Sequence, residues 1–260
     1  MADHFNSMLF STIAISLKAE ELFHVGAFPV TNSVLLGVLV FGVLAFLGWN
    51  FRKRLAEVPS GIQNLLEFFL EGLLKIMDSV LGSRQKSEKY LPLVATIFLF
   101  VMLANWMGLL PGVGSIGLNE VREGHAEFIP LFRAPSADLN FTLALAVITV
   151  FSINLFGVLA LGFRKHFGKF FTLKNPIYTF VGLLEFIAEI AKMVSFSFRL
   201  FGNVFAGEVL LIIIGALVPY FIPLPFLVLE IFVGFIQAFI FSMLTLVFLA
   251  IAIAEEGHEH

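Results

Sequence analysis

Apolar residues run along this chain in stretches of membrane-spanning length, and the polar positions inside those stretches are few. Residues 30–50, VTNSVLLGVLVFGVLAFLGWN, hold no charged residue and lead into FRKR, which predicts a first membrane helix with a basic end. Residues 91–110 and 140–163 predict a second and a third. Two longer elements follow, over residues 177–218 and 226–254, joined around PYFIPLP as a hairpin. No proline lies between Pro176 and Pro219. At 1.5 Å per residue such a helix is about 63 Å long, roughly twice the hydrocarbon thickness, so it must tilt steeply, bend or break.

One element has a different pattern. Across residues 60–81, Ile62, Leu66, Phe69, Leu73, Ile76 and Val80 recur at helical spacing, with Gln63, Glu67, Glu71, Lys75 and Asp78 between them. Such an amphipathic helix lies at the membrane interface or packs on a soluble core; the flanking spans favour the interface. Residues 1–29 read as an N-terminal extracytoplasmic segment. Residues 8–17 are apolar, but the preceding MADHFNS has no basic residue and contains Asp3, which argues against a cleaved signal peptide.

Composition agrees with the pattern. The chain is 59% hydrophobic and 13% charged, against about 25% charged in soluble domains, which excludes an ordinary soluble fold. The expected class is an all-α membrane protein: a single membrane domain with five transmembrane helices, one amphipathic interfacial helix and a long, steeply tilted C-terminal hairpin. With no cysteine, disulfide and thiolate chemistry are excluded. If the amino terminus is outside, one side of the membrane receives Arg52, Lys53, Arg54, Lys75, Arg84, Lys86, Lys89, Arg164, Lys165, Lys169 and Lys174, and the other only Lys18, Arg122 and Arg133. The basic side is then cytoplasmic.

Two motifs carry no chemistry. GVGSIG at 112–117 fits a dinucleotide fingerprint but follows a span and Pro111 rather than a strand, so it reads as a loop. The tail EEGHEH reads as solvated rather than metal-binding, because no rigid spacing supports a site.

The informative polar residues lie in the long helix. At 100° per residue from Glu185, Glu189 falls at about 40°, Lys192 at about 340°, Arg199 at about 320° and Asn203 at about 0°, forming one stripe. Glu208, near 140° by the same count, lies off the stripe and faces a different neighbour or a separate aqueous pocket. On the final helix Glu230 and Gln237 are about 20° apart in direction. By chemistry alone two readings stand. Arg199 closes a salt bridge to Glu230 or Glu185 and the polar groups glue helices together, or the stripe translocates ions. The cost of ionisable groups in a span, with small residues Gly202, Ala206 and Gly207 beside them, favours translocation: the guanidinium is a permanent cation, while glutamates load and release protons. A secondary transporter is disfavoured because no self-similar halves are visible. A scaffold would leave the stripe unexplained.

RLFGNVFAGE, residues 199–208, closely resembles the signature of subunit a of the F-type ATP synthase, and IQAFIFSMLTLVFLAIA, residues 236–252, resembles that family's last helix. The likeness extends more loosely over most of the chain, including LPLVATIFLFVMLANWMGLLPG. The resemblance implies that Arg199 is the essential arginine facing a ring carboxylate, that Asn203, Glu208, Glu185, Ser195 and Gln237 are polar positions of the proton path, and that Glu230 stands where some members carry histidine. Gly108 departs from an aspartate found in some members and Met193 from a proline found in many. The family implies two offset aqueous half-channels against a rotating ring of c subunits, a subunit b stalk and other ATP synthase subunits as partners, the lipid bilayer, and transported H⁺, with Na⁺ as the alternative ion. It implies no nucleic acid, cofactor or metal, and no catalysis by this chain alone. The expected location is a bacterial inner membrane, with the carboxy terminus cytoplasmic.

Overall fold

The computed structural model describes residues 19–52, 61–122, 125–168, 176–218 and 221–254. The apolar stretch at 8–17, Lys53, Arg54, Lys169, Lys174, part of PYFIPLP and the tail EEGHEH lie outside them. In chain order the elements are strands β1 (Glu21–Val25) and β2 (Phe28–Thr31), helices α1 (Asn32–Arg52), α2 (Ile62–Leu81) and α3 (Arg84–Gly108), strands β3 (Gly117–Arg122) and β4 (His125–Pro130), and helices α4 (Leu139–Leu161), α5 (Phe163–Gly168), α6 (Pro176–Leu217) and α7 (Pro223–Ile253). Among the described residues five helices, α1, α3, α4, α6 and α7, are long and apolar enough to cross a membrane. They match the five predicted spans in number and order and overlap each of them. α3 starts several residues earlier than its apolar run, at Arg84, and carries Pro92 inside it.

The chain divides into two compact units. Unit one comprises Met1–Phe46, Phe100–Thr142 and Phe198–Ala238; unit two comprises Leu47–Leu99, Leu143–Ser197 and Phe239–His260.

Unit one holds two antiparallel hairpins, β1–β2 and β3–β4, that the helical pattern did not predict. GVGSIG forms the turns before β3, with Gly112 and Gly114 at positive φ, consistent with a loop and not a phosphate cradle. Asp138 caps α4: its Oδ1 accepts the Asn140 backbone N–H at 2.9 Å and its Oδ2 accepts the Ser33 hydroxyl at 2.5 Å. That bond ties the start of α1 to the start of α4. Nearby, the Phe141 ring occupies the space a side chain at Gly37 would need.

Unit two has the larger apolar core. Leu73, Met77 and Leu81 of α2 pack with Tyr90, Val94 and Ala95 of α3, Ile153 of α4, and Leu246, Leu249 and Ala252 of α7. The core takes Leu73 of the apolar stripe together with Met77 and Leu81, which the polar spacing does not mark. Ile76 and Val80 point outward with Leu65 and Phe68, and α2 carries two apolar stripes, one on the core and one exposed. An exposed apolar stripe suits a helix lying in a membrane interface. Gly82, in the left-handed conformation at φ 72°, ends α2 and turns the chain into α3. There Arg84 bonds both Glu71 oxygens at 2.7 and 3.3 Å, Asp78 at 3.2 Å and Glu88 at 3.1 Å. The guanidinium holds the Glu71 carboxyl below the usual carboxylate range.

Candidate functional site

Most of the predicted polar residues fall in unit one, on the second half of α6 and the first half of α7. Arg199 is partly buried, between the buried Leu200 and the exposed Phe198. One helical turn on, Asn203 lies on the same face and donates from Nδ2 to Gln237 Oε1 of α7 at 2.7 Å. Gln237 is 2% exposed, and its Nε2 is buried with no hydrogen-bond partner among the described residues. An amide donor left unsatisfied in an apolar interior is costly unless water or a passing polar group reaches it.

Glu230, about two turns before Gln237 on α7, packs its carboxyl group directly onto Gly207 of α6. Any side chain at 207 would occupy that place, so the glycine exists for the acid and not for backbone freedom. Glu208, next in sequence, turns the other way, as its angle predicts. Its Oε1 lies 3.5 Å from Nε of Arg133, a side chain only 8% exposed against 31% for Glu208, while its Oε2 is buried without a hydrogen-bond partner among the described residues. Unit one thus sets two carboxylates beside the α6–α7 pair, Glu230 against Gly207 and Glu208 against Arg133.

The hairpin is held by groups the sequence pattern did not single out. Asn105 Nδ2 donates to the Gly234 carbonyl at 3.1 Å, and Trp106 Nε1 to the Ile231 carbonyl at 3.0 Å. Gly234 lets α3 come this close, since a Cβ there would stand 3.2 Å from the Asn105 Cβ. Both donors belong to ANWMG, and a polar pair at the end of an apolar run was the available signal. In the sequence Arg133 is only a loop charge, and no local spacing places it beside Glu208, 75 residues later. Gly108 packs against Ala134 so closely that an aspartate has no space there, which gives that departure a steric reason.

Glu185 and Ser195, on the first half of α6, belong to unit two, with Glu185 partly buried and Ser195 exposed. Glu189 and Lys192 of the same stripe form an ion pair. Among the described residues no three His, Asp or Glu side chains converge as a metal site.

The sequence pattern described as ATP synthase A chain matches residues 30–250. ATP synthase subunit a of Campylobacter jejuni is 41% identical over 210 residues, covering 79% of this chain and 83% of that protein. The subunit a of Campylobacter concisus is 36% identical over 244 residues, 94% and 98% of the two chains, and that of Moorella thermoacetica 32% over 234 residues, 90% and 96%. With five apolar helices in order and a match over most of its length, the chain belongs to the ATP synthase subunit a family, non-catalytic multi-pass membrane subunits of the ATP synthase complex.

Proposed function

We propose that this chain is the proton-conducting stator subunit of its complex, with Arg199 separating two aqueous half-channels that open to opposite sides of the membrane against a turning ring of c subunits. The observation that carries this reading is the arrangement around Arg199: a permanent cation on α6, the Asn203–Gln237 amide pair one turn away, and Glu230 seated on Gly207 in the same apolar hairpin. Subunit b is proposed as its stalk partner, and a bacterial inner membrane, with the basic loops cytoplasmic, as its location.

A proton from the outside reaches a ring carboxylate by way of Glu208 and Glu230, neutralises it, and lets it turn into lipid. After nearly a full revolution the proton leaves toward the cytoplasm near Glu185, past Ser195. Opposite charge at Arg199, in a poorly hydrated setting, keeps the arriving ring carboxylate ionised and forces release. The membrane potential supplies about 2.3 kcal/mol per charge per 100 mV, and the pH gradient adds to it. A path of Glu and Gln side chains favours H⁺ over Na⁺, which prefers several converging oxygens.

The access side is tested by Glu208→Gln and Glu230→Gln. An amide keeps the volume but cannot take up and release a proton, so each variant is expected to slow pumping about tenfold or more in an assembled complex. Wild-type rates in both, measured with a pH-sensitive dye in liposomes, would remove these residues from the path. Topology is tested separately, because the chain has no cysteine. Gln85 and Ser115 are exposed. Gln85→Cys is expected to react with an impermeant thiol reagent from the cytoplasm only, and Ser115→Cys from outside only. Reaction of both from one side contradicts the five-span orientation.

A further inference from the structure

A second polar cluster lies within unit two, and the path above makes no use of it. His166, on the short helix α5, is 1% exposed, and its Nε2 lies 3.0 Å from Asn154 Oδ1 of α4. Asn154 Nδ2 donates to the Val150 carbonyl at 2.9 Å and to Glu189 Oε2 of α6 at 3.1 Å. Both amide hydrogens are committed, so the amide oxygen must face the imidazole, and His166 donates from Nε2 whether neutral or charged. The other Glu189 oxygen accepts from Lys192 Nζ at 2.5 Å, and that ammonium stands 4.8 Å from the centre of the Phe248 ring of α7. The Glu189 and Lys192 side chains are 14% and 22% exposed.

The backbone is shaped for this cluster. Gly162, at φ 85°, turns the chain out of α4 so that α5 folds back, and the His166 N–H returns to the Gly162 carbonyl at 3.1 Å. Gly157 leaves the space that the imidazole fills, since a Cβ there would stand 2.5 Å from the ring. Four polar side chains from three helices therefore form one chain, from the carboxylate face of α6 to the α4–α5 end that carries Arg164 and Lys165. Glu185 precedes Glu189 by four residues, which puts the two Cβ atoms about 5–6 Å apart on one helix face.

We propose that Glu189 is a second proton-exchanging carboxylate on the cytoplasmic side of the path, with Asn154 and His166 as the positioning residues that hold it; this rests on the assignment of Glu185 to that side. A proton leaving Glu185 moves to Glu189 directly or through water, leaving Glu185 as carboxylate and Glu189 as the neutral acid. Glu189 then gives the proton to water at the basic end, and the regenerated carboxylate returns to its bonds with Lys192 and Asn154. Lys192 stays an ammonium throughout, so one proton has moved and no charge is left behind.

An ion pair that served only to glue helices would tolerate loss of both charges together, and this distinguishes the two roles. The whole complex is reconstituted in liposomes and ATP-driven proton uptake is followed with a pH-sensitive dye. Glu189→Gln is expected to slow pumping about tenfold or more, and Glu189→Gln with Lys192→Gln, in which neutrality is restored, to stay as slow. His166→Gln keeps an N–H for Asn154 and is expected to retain more than about half of the rate, whereas His166→Leu falls with Glu189→Gln. If Glu189→Gln alone does not assemble because Lys192 is left unpaired, the double variant gives the answer. Wild-type pumping in Glu189→Gln, or its recovery in the double variant, overturns the proposal. Glu185→Gln in the same liposomes keeps the two ideas apart. Slow Glu185→Gln with normal Glu189→Gln removes Glu189 alone, while normal pumping in Glu185→Gln removes the assignment on which it rests.

Discussion

Arg199→Ala is expected to abolish ATP-driven proton pumping and ATP synthesis while leaving the complex assembled. The side chain is only partly buried, and its neighbours Leu200 and Phe201 supply the packing, so truncation opens little space in the core. What is lost is the charge. A guanidinium about 4 Å from a carboxylate favours its ionised form by roughly 4 kcal/mol at an effective dielectric of about 20, close to a thousandfold in the protonation equilibrium. Without it a ring carboxylate keeps its proton past the barrier, and a passive leak between the half-channels replaces coupled rotation. Arg199→Lys is expected to fail largely as well, because a desolvated ammonium can lose its proton and lacks the planar set of donors. The measurement is dye-monitored pumping and ATP synthesis by the reconstituted complex. Normal coupled pumping by Arg199→Ala would make the arginine structural and end the proposed mechanism.

Gly207→Ala is the second large expected effect, and its cause is steric. The added methyl group takes the place of the Glu230 carboxyl, so either the acid swings away or α6 and α7 separate, at about 1–3 kcal/mol for overpacking of this kind. Pumping is expected to fall at least as far as in Glu230→Gln, with less assembled complex recovered from membranes. Adding Glu230→Ala to Gly207→Ala relieves the clash. The double variant is expected to regain assembly but not transport, which separates the packing at this point from its chemistry. Wild-type pumping by Gly207→Ala would show that the seat of Glu230 on α6 is unimportant.

The five spans were legible because each is a long run of apolar residues, and the stripe on α6 because helical geometry fixes angles from spacing alone. The off-stripe direction of Glu208 followed from the same count. Its partner Arg133 did not, since that contact depends on how the chain folds back after β4, and nothing local encodes it. The two hairpins were missed because their short strands alternate too weakly to compete with helical signals nearby. Which side of α2 meets the core was not legible for a related reason: with apolar residues on two sides, polar spacing alone does not say which side the core takes. The seat of Glu230 on Gly207 was foreshadowed only by the small residues on α6.

The bonds from Asn105 and Trp106 end on main-chain carbonyls of α7, at Gly234 and Ile231, and not on its side chains. Every residue type presents the same carbonyl, so these two anchors survive substitution at Ile231 itself and along the exposed flank of α7. In the rotary reading, a ring turning against the stator returns an equal and opposite torque. Two pins three residues apart resist both twisting of α7 about its own axis and sliding along it, and so keep the azimuth of Glu230 and Gln237 constant under load. The polar groups can then be retuned by evolution while the bearing that carries them stays mechanically the same.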